Sequence, residues 1–468
     1  MPKHLLYLFL FVLVGCGVTE KKSDNVFFAG EIVNPTSEYI VLYKGESLID
    51  SALLDANNRF YLELDSPENG LYHFKHSPEY QYVYLEKGDS LLIRLNTMDF
   101  DESLVFSGSG DEINNFLLEL FLAHEAEEPM IYAMYRLEPQ EFHQKIDSLK
   151  QSKLDQLGIL VEEADLSEKE REIAEASIIY NYYTYKEKYP FKHKSYTGNR
   201  VVDKLPSDFY AYRETVTFEN NDLTYLRPYY NFMINHIGNR SFMSCSQKCG
   251  IKNDMVQNHL HFNMHKLSLI DSLVKEKDLR DNLFRNVAFD YLLQIHDTEE
   301  NNKSFIQEFH RLSRNNKHIS EVDELYEGIL NIQPDKEIPN INVLNSEGER
   351  ISLKEIAKDT KTVFYFWSGT DKRHFDNITR RADYLSSKMP EYRFVGINLK
   401  TDDAKWRIMV ETRNLDKTNQ YRAENFEKAT KALVIYPMNK CIITEDAKIV
   451  DAFSNMYASS LKKSPWKP

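Results

Sequence analysis

The sequence has no concentrated basic stretch: among 468 residues, 58 Lys and Arg stand against 72 Asp and Glu, giving a net charge of -14. Nucleic acid is therefore not an expected partner, because neutralising phosphate takes a clustered cationic surface. Past the first residues there is no apolar run near the roughly 20 residues that a bilayer span needs. Internal repeats and low-complexity tracts are also missing, no motif implies a cofactor, and cysteine is scarce at four residues. What is present is 42% hydrophobic content with 13% aromatics, enough to fill cores and to argue against global disorder. The length suits about three domains.

Lys3 and His4 precede an uncharged apolar run from Leu5 to Val14, which ends in Leu13-Val14-Gly15-Cys16. These are the parts of a bacterial export signal over residues 1–16, and the ending resembles a lipobox, implying cleavage before Cys16 and lipid on its sulfur. The plainer reading is a buried N-terminal helix or strand. Residues 17–25 are polar enough to serve as a tether. The expected address is the bacterial cell envelope, with the body lipid-anchored and facing the periplasm or the cell surface.

Residues 26–108 read as a β-rich domain. Phe27 to Val33, Tyr39 to Tyr43, Phe60 to Leu64 and Leu91 to Leu95 are short apolar or alternating runs, punctuated by Asn34-Pro35, Asn57-Asn58, Asn69-Gly70 and Lys87-Gly88-Asp89. Strands at this spacing predict a small antiparallel sandwich. From 109 to 333 the period turns helical: Leu279, Leu283, Phe284, Val287 and Tyr291 would share one helix face. This all-α middle region ends near Ile332-Gln333-Pro334-Asp335, and residues 334–468 form a third, α/β segment.

Within that segment, residues 366–374 read Phe-Trp-Ser-Gly-Thr-Asp-Lys-Arg-His. Ile338-Pro339-Asn340 precedes a hairpin at Asn345 to Glu349. Thr362 to Trp367 reads as a central strand, Phe394 to Asn398 as a second, and Tyr436-Pro437-Met438 comes before a terminal hairpin from Lys440 to Phe453. In order and spacing this resembles the thioredoxin-like proteins of the TlpA/ResA class, whose active-site turn is Phe-Trp-Ala-x-x-Cys-x-x-Cys. The resemblance implies a thioredoxin-like α/β domain and a cis peptide at Pro437, the residue that faces the cysteines in active relatives and helps present an extended substrate strand. It also implies that Gly30 to Ile32, the turn Leu85 to Ser90 and Phe106-Ser107-Gly108 belong to the β-rich domain often fused to such lipoproteins.

This sequence departs from the family where the chemistry resides. Asp371 and His374 occupy the two cysteine positions, so the turn keeps Trp367 and Pro437 but has a degenerate site. Asp371 has a sufficient structural role as a helix N-cap. An Asp371/His374 pair could also do acid/base work, although no nucleophile or third group accompanies it.

The remaining candidates lie elsewhere. Cys245 and Cys249, four residues apart, are a candidate disulfide in an oxidising compartment, leaving Cys441 unpaired. With His259, His261 and His265 they spell C-x3-C-x9-H-x-H-x3-H, in which His261 and His265 share a helical face, so Cys245, Cys249, His261 and His265 are weak metal candidates. Tyr180, Tyr182, Tyr183, Tyr185, Tyr189 and Phe191 would either line a bundle interface or form a sugar- or peptide-stacking platform.

Three functional readings follow. The first is a lipid-anchored, redox-inactive thioredoxin-like protein that binds an unidentified protein or peptide along the Pro437 edge, with no cofactor. The second is a thiol-disulfide oxidoreductase working through Cys245 and Cys249. The third is a metal- or glycan-binding module.

Overall fold

A computed structural model describes residues 24–245, 248–458 and 461. Cys16, the export signal and most of the tether lie outside these residues. The chain divides into two compact units: residues up to 216 together with 220–232, and residues 217–219 together with those from 233 onward. The helical stretch 109–333 is thus shared between the two units.

The first unit opens with eight strands: β1 Val26–Val33, β2 Tyr39–Lys44, β3 Ser47–Leu53, β4 Arg59–Leu64, β5 Gly70–His76, β6 Glu79–Leu85, β7 Ser90–Asn96 and β8 Val105–Gly108. They form two four-stranded sheets, ordered β4-β1-β7-β8 and β3-β2-β5-β6. Alternation drives the layering: Phe60, Leu62 and Leu64 of β4 are buried while the residues between them are exposed. One core holds Phe28 and Leu91 from the first sheet with Leu42, Phe74 and Val83 from the second. The antiparallel expectation needs one correction, because β1 pairs in parallel with β7, Phe28 opposite Leu91. Period-2 alternation is the same for either direction, so the sequence could not reveal this.

A short helix α1, Phe100–Ser103, precedes β8, and three long helices follow the sheets: α2 Asp111–Met134, α3 Pro139–Glu163 and α4 Glu168–Thr197. Helix α4 starts at a capping box, in which Ser167 and Glu170 bond each other's backbone amides. Its buried Glu187 accepts from Tyr212 at 2.9 Å and from Arg213 Nε at 3.0 Å, so a carboxylate with almost no exposure is paired and hydrogen-bonded.

Helix α5, Arg227–Ser244, leads to α6 His259–Leu273, α7 Lys277–Asp290, α8 Glu299–Leu312 and α9 Ile319–Asn331. Leu279, Leu283, Phe284 and Val287 form the expected buried face of α7, and Tyr291 continues it into a π-helical turn at Tyr291–Ile295. No helix among the described residues is long and apolar enough to cross a membrane.

The α/β part of the second unit contains β9 Asn342–Leu344, β10 Arg350–Ser352, α10 Leu353–Ala357, β11 Lys361–Trp367, α11 Lys372–Lys388, β12 Arg393–Asn398, α12 Asp403–Thr412, β13 Gln420–Ala423, α13 Phe426–Ala432, β14 Lys440–Glu445 and β15 Lys448–Asn455. The seven strands make one mixed sheet ordered β10-β9-β13-β12-β11-β14-β15. At its centre β11 runs parallel to β12 and antiparallel to β14. Every residue of β11 after Lys361 is buried, as expected of a central strand covered on both faces. Val363, Tyr365 and Trp367 pack with Phe375, Ile378 and Trp406 on one face, and alternation sends Phe364 and Phe366 to the other.

The first unit's core makes a direct prediction. Phe74 is fully buried with its ring 5.6 Å from that of Phe28. Phe74→Ala should destabilise this unit by about 3–5 kcal/mol, read as a lower denaturation midpoint in its transition.

Candidate functional site

The site begins where β11 ends. Trp367 is fully buried, and its indole Nε1–H donates to Gln420 Oε1 at 3.0 Å while Gln420 Nε2 donates to the Tyr365 hydroxyl at 2.8 Å. Gln420 thus lets two large aromatics of β11 sit in the core with their polar atoms bonded. The next residues turn sharply. The Gly369 amide donates to Thr401 Oγ1 at 2.7 Å, and a Cβ at Gly369 would lie 2.8 Å from Met409 Sδ, so a side chain there would have to displace Met409. Thr401 Oγ1 in turn accepts from Asn398 Nδ2 at 2.9 Å.

Asp371 is the N-cap of α11, its carboxylate accepting from the His374 amide at 2.8 Å. The His374 ring folds back so that Nε2 lies 3.1 Å from the Phe366 carbonyl, which fixes Nε2 as the protonated nitrogen because a carbonyl oxygen only accepts. The carboxylate therefore engages the His374 backbone and not its imidazole. Both side chains hold the turn together. Helix α11 then buries Phe375, Ile378, Ala382 and Leu385 at helical spacing.

The opposing loop precedes β14. Tyr365 pairs with Cys441 across β11 and β14, so continuing that register brings residues 437–439 alongside the end of β11. The Tyr436–Pro437 peptide bond is cis, and both residues are exposed. The loop is held from within: Lys440 Nζ, fully buried, donates to the Leu433 and Val434 carbonyls at 2.6 and 2.7 Å and lies 4.5 Å from the centre of the Phe453 ring. Val434 has φ +49°, a left-handed conformation costly for a β-branched residue, so this backbone is held against its preference. Burial pulls the Lys440 amine down to about 7. A neutral amine still has two N–H donors for the two carbonyls. Cys441 beside it is fully buried, and burial pushes its thiol well above the usual range, leaving it inert as a nucleophile.

Cys245 and Cys249 lie apart from this turn, after α5, and are joined as a disulfide with Cα atoms 5.7 Å apart. Cys245 is 7% exposed and Cys249 not at all. His261 reaches the pair, its Nδ1 3.4 Å from each sulfur, while His265 Nε2 sits 2.9 Å from Ser244 Oγ. His259 is the first residue of α6 and has no part in this cluster.

Four of the six aromatics of the tyrosine cluster, Tyr180, Tyr182, Tyr185 and Tyr189, are buried in the bundle. Tyr189 stacks on Phe142 of α3 at 4.1 Å, and Tyr183 on Tyr212 at 4.0 Å. This arrangement is a packing interface and not an open platform. Tyr185 also lines a cleft of about 350 Å³ in the first unit, with Tyr82, Asp101, His124 and Arg227. Burial pulls the His124 imidazole down to about 4, so it is neutral there.

The sequence reading named Trp367, Asp371, His374 and Pro437, which lie at the end of β11, the start of α11 and the loop before β14, and did not name Gln420, Thr401 or Lys440. Thr401 and Gln420 act on β11 or the turn after it from 32 and more residues away. No local signal marks them.

No protein-family model matches the chain, and no curated protein does. Solved structures of thioredoxin-fold thiol-disulfide oxidoreductases are similar to part of it. A candidate thiol-disulfide oxidoreductase of Bacteroides vulgatus is 16% identical, with 28% of this chain and 92% of that one covered at a TM-score of 0.25. A thiol-disulfide oxidoreductase of Bacteroides fragilis is 16% identical, covering 25% and 88% at a TM-score of 0.22. A thiol:disulfide interchange protein from a Bacteroides species is 15% identical, covering 26% and 80% at 0.23.

Two predictions follow from the turn and its loop. Asp371→Ala should cost about 1 kcal/mol of stability through the lost cap, and Asp371→Asn should retain most of it, measured by chemical denaturation. For Lys440, the folded value of about 7 lies below the ordinary 10.5. The unfolded chain therefore binds the extra proton between these values, so stability from this site is present above the ordinary value and falls as pH drops toward the folded one. The denaturation midpoint of wild type relative to Lys440→Met should rise with pH across that window.

Proposed function

We propose that this chain is a membrane-anchored, extracytoplasmic protein whose thioredoxin-like segment acts by binding an extended peptide or partner protein along the Tyr436–Pro437 edge, without disulfide exchange at its turn. The observation that carries the reading is the use made of the two former cysteine positions. Asp371 caps α11 and His374 bonds the Phe366 carbonyl, so both are engaged in holding the turn. Neither a carboxylate nor an imidazole can form the mixed disulfide through which exchange proceeds. The exposed Tyr436 and Pro437 offer an apolar edge at the end of β11, which suits strand-like recognition through alternate side chains and main-chain bonds. The anchor would be Cys16.

The oxidoreductase reading asks Cys245 or Cys249 to be attacked by an outside thiolate. Their burial favours the binding reading, since exchange depends on access to the sulfur.

An insulin-reduction assay tests the proposal. Wild type should give no turnover above the chemical reductant alone, and turnover abolished by Cys245→Ser or Cys249→Ser would overturn it. The double variant Asp371→Cys, His374→Cys should gain turnover, because it returns two thiols to a helix start beside Trp367 and Pro437.

A further inference from the structure

The turn between α5 and α6 gathers a set of soft donors that the Pro437 edge does not use. Cys245, Cys249 and His261 place their ligand atoms within 4.8 Å of one another. A disulfide accounts for the two sulfurs, but it does not account for the imidazole nitrogen set 3.4 Å from each of them. Disulfide sulfur is a weak acceptor and gives a histidine little reason to stand there. A metal ion does give one. With zinc–sulfur bonds of about 2.3 Å and zinc–nitrogen bonds of about 2.0–2.1 Å, tetrahedral nitrogen and sulfur ligands stand roughly 3.5 Å apart.

The backbone is built to keep these groups together. The Cys249 carbonyl accepts from the Gln257 and Asn258 amides at 3.2 and 3.0 Å, and Lys252 and Met255 exchange backbone hydrogen bonds at 3.0 and 2.9 Å. Residues 250–258 therefore close into a small hairpin that returns the chain to the cysteines. There Asn258 caps α6 by accepting from the His261 amide at 3.0 Å. His261 falls in the first turn of α6, and His265 lies one turn on with its ring 6.5 Å from that of His261. His265 Nε2 is held by the hydroxyl of Ser244, the residue next to Cys245.

We propose that the reduced chain holds a zinc ion at this turn, bound by Cys245 Sγ, Cys249 Sγ and His261 Nδ1, with water in the fourth position. Reduction by a phosphine breaks the sulfur–sulfur bond and leaves two thiols, the phosphine taking oxygen from water to become its oxide. Zinc then displaces one proton from each thiol, so binding is tighter at higher pH. The disulfide and the zinc complex are mutually exclusive states of one pair of sulfurs. The two sulfurs belong to buried residues and His261 is partly buried, which leaves the sulfurs more accessible to an ion than to a protein substrate. This inference is independent of the binding reading, since it involves none of Trp367, Asp371, His374 or Pro437.

The test uses the untagged full chain, reduced with a phosphine under anaerobic conditions and titrated with cobalt(II) as a spectroscopic stand-in for zinc, then with zinc in competition. One metal per reduced chain is expected, with thiolate-to-cobalt charge-transfer bands and the visible intensity of a tetrahedral ion, and none in the disulfide form. Cys245→Ser, Cys249→Ser and His261→Ala should each weaken binding by more than about a hundredfold, beyond what loss of an outer partner produces. The cobalt spectrum should be unchanged in His265→Ala, whose ring is held by Ser244. Zinc should also protect Cys245 and Cys249 of the wild type from alkylation, a readout that does not depend on any variant folding. A reduced chain that binds no cobalt with thiolate bands, or whose two cysteines alkylate equally with and without zinc, overturns the proposal.

Discussion

Strand β11 is buried from Thr362 to Trp367 with a parallel neighbour on one side and an antiparallel one on the other. A strand in that position has no solvent-facing side, so each residue must be apolar or bring a bonding partner with it. Tyr365 and Trp367 satisfy that requirement through Gln420. The chain must then leave the sheet at Ser368, and the Gly369 amide bonded to Thr401, followed by the Asp371 cap, is how it does so. The loop at Pro437 lies beside the same exit through the register of β14.

This arrangement gives the turn a structural basis that does not depend on cysteine. In a thiol-disulfide turn the helix start stabilises a thiolate. Such amides also donate to a carboxylate, because the helix start favours a negative group placed there. Asp371 occupies that role and His374 ties the far side of the turn to β11. At the Cys245–Cys249 turn two sulfurs and His261 converge as well.

Much of the fold was legible because its signals are local. Phe60 to Leu64 alternates, Leu279 to Tyr291 keeps a helical period, and Phe366-Trp367 with Asp371 marks a strand end followed by a cap. The direction of the β1–β7 pair was not legible, because alternation is blind to it. Nor was the division of the helical stretch between two units, which depends on which partners each helix packs against. At the site, Trp367, Asp371, His374 and Pro437 could be named from the sequence. Gln420, Thr401 and Lys440 could not, since a polar residue in a loop or at a strand start looks the same whether it is solvated or supporting a buried aromatic.

The sequence by itself determined the β-rich beginning, the helical middle, the central strand and its turn, and the absence of cysteine there. These are properties of residue type and spacing along the chain. Tertiary structure alone decided that the tyrosine cluster is packing, that Cys441 is buried and inert, and that His261 stands beside the Cys245–Cys249 disulfide. Each of those depends on desolvation and on contacts between residues distant in sequence, and spacing along the chain carries no record of either.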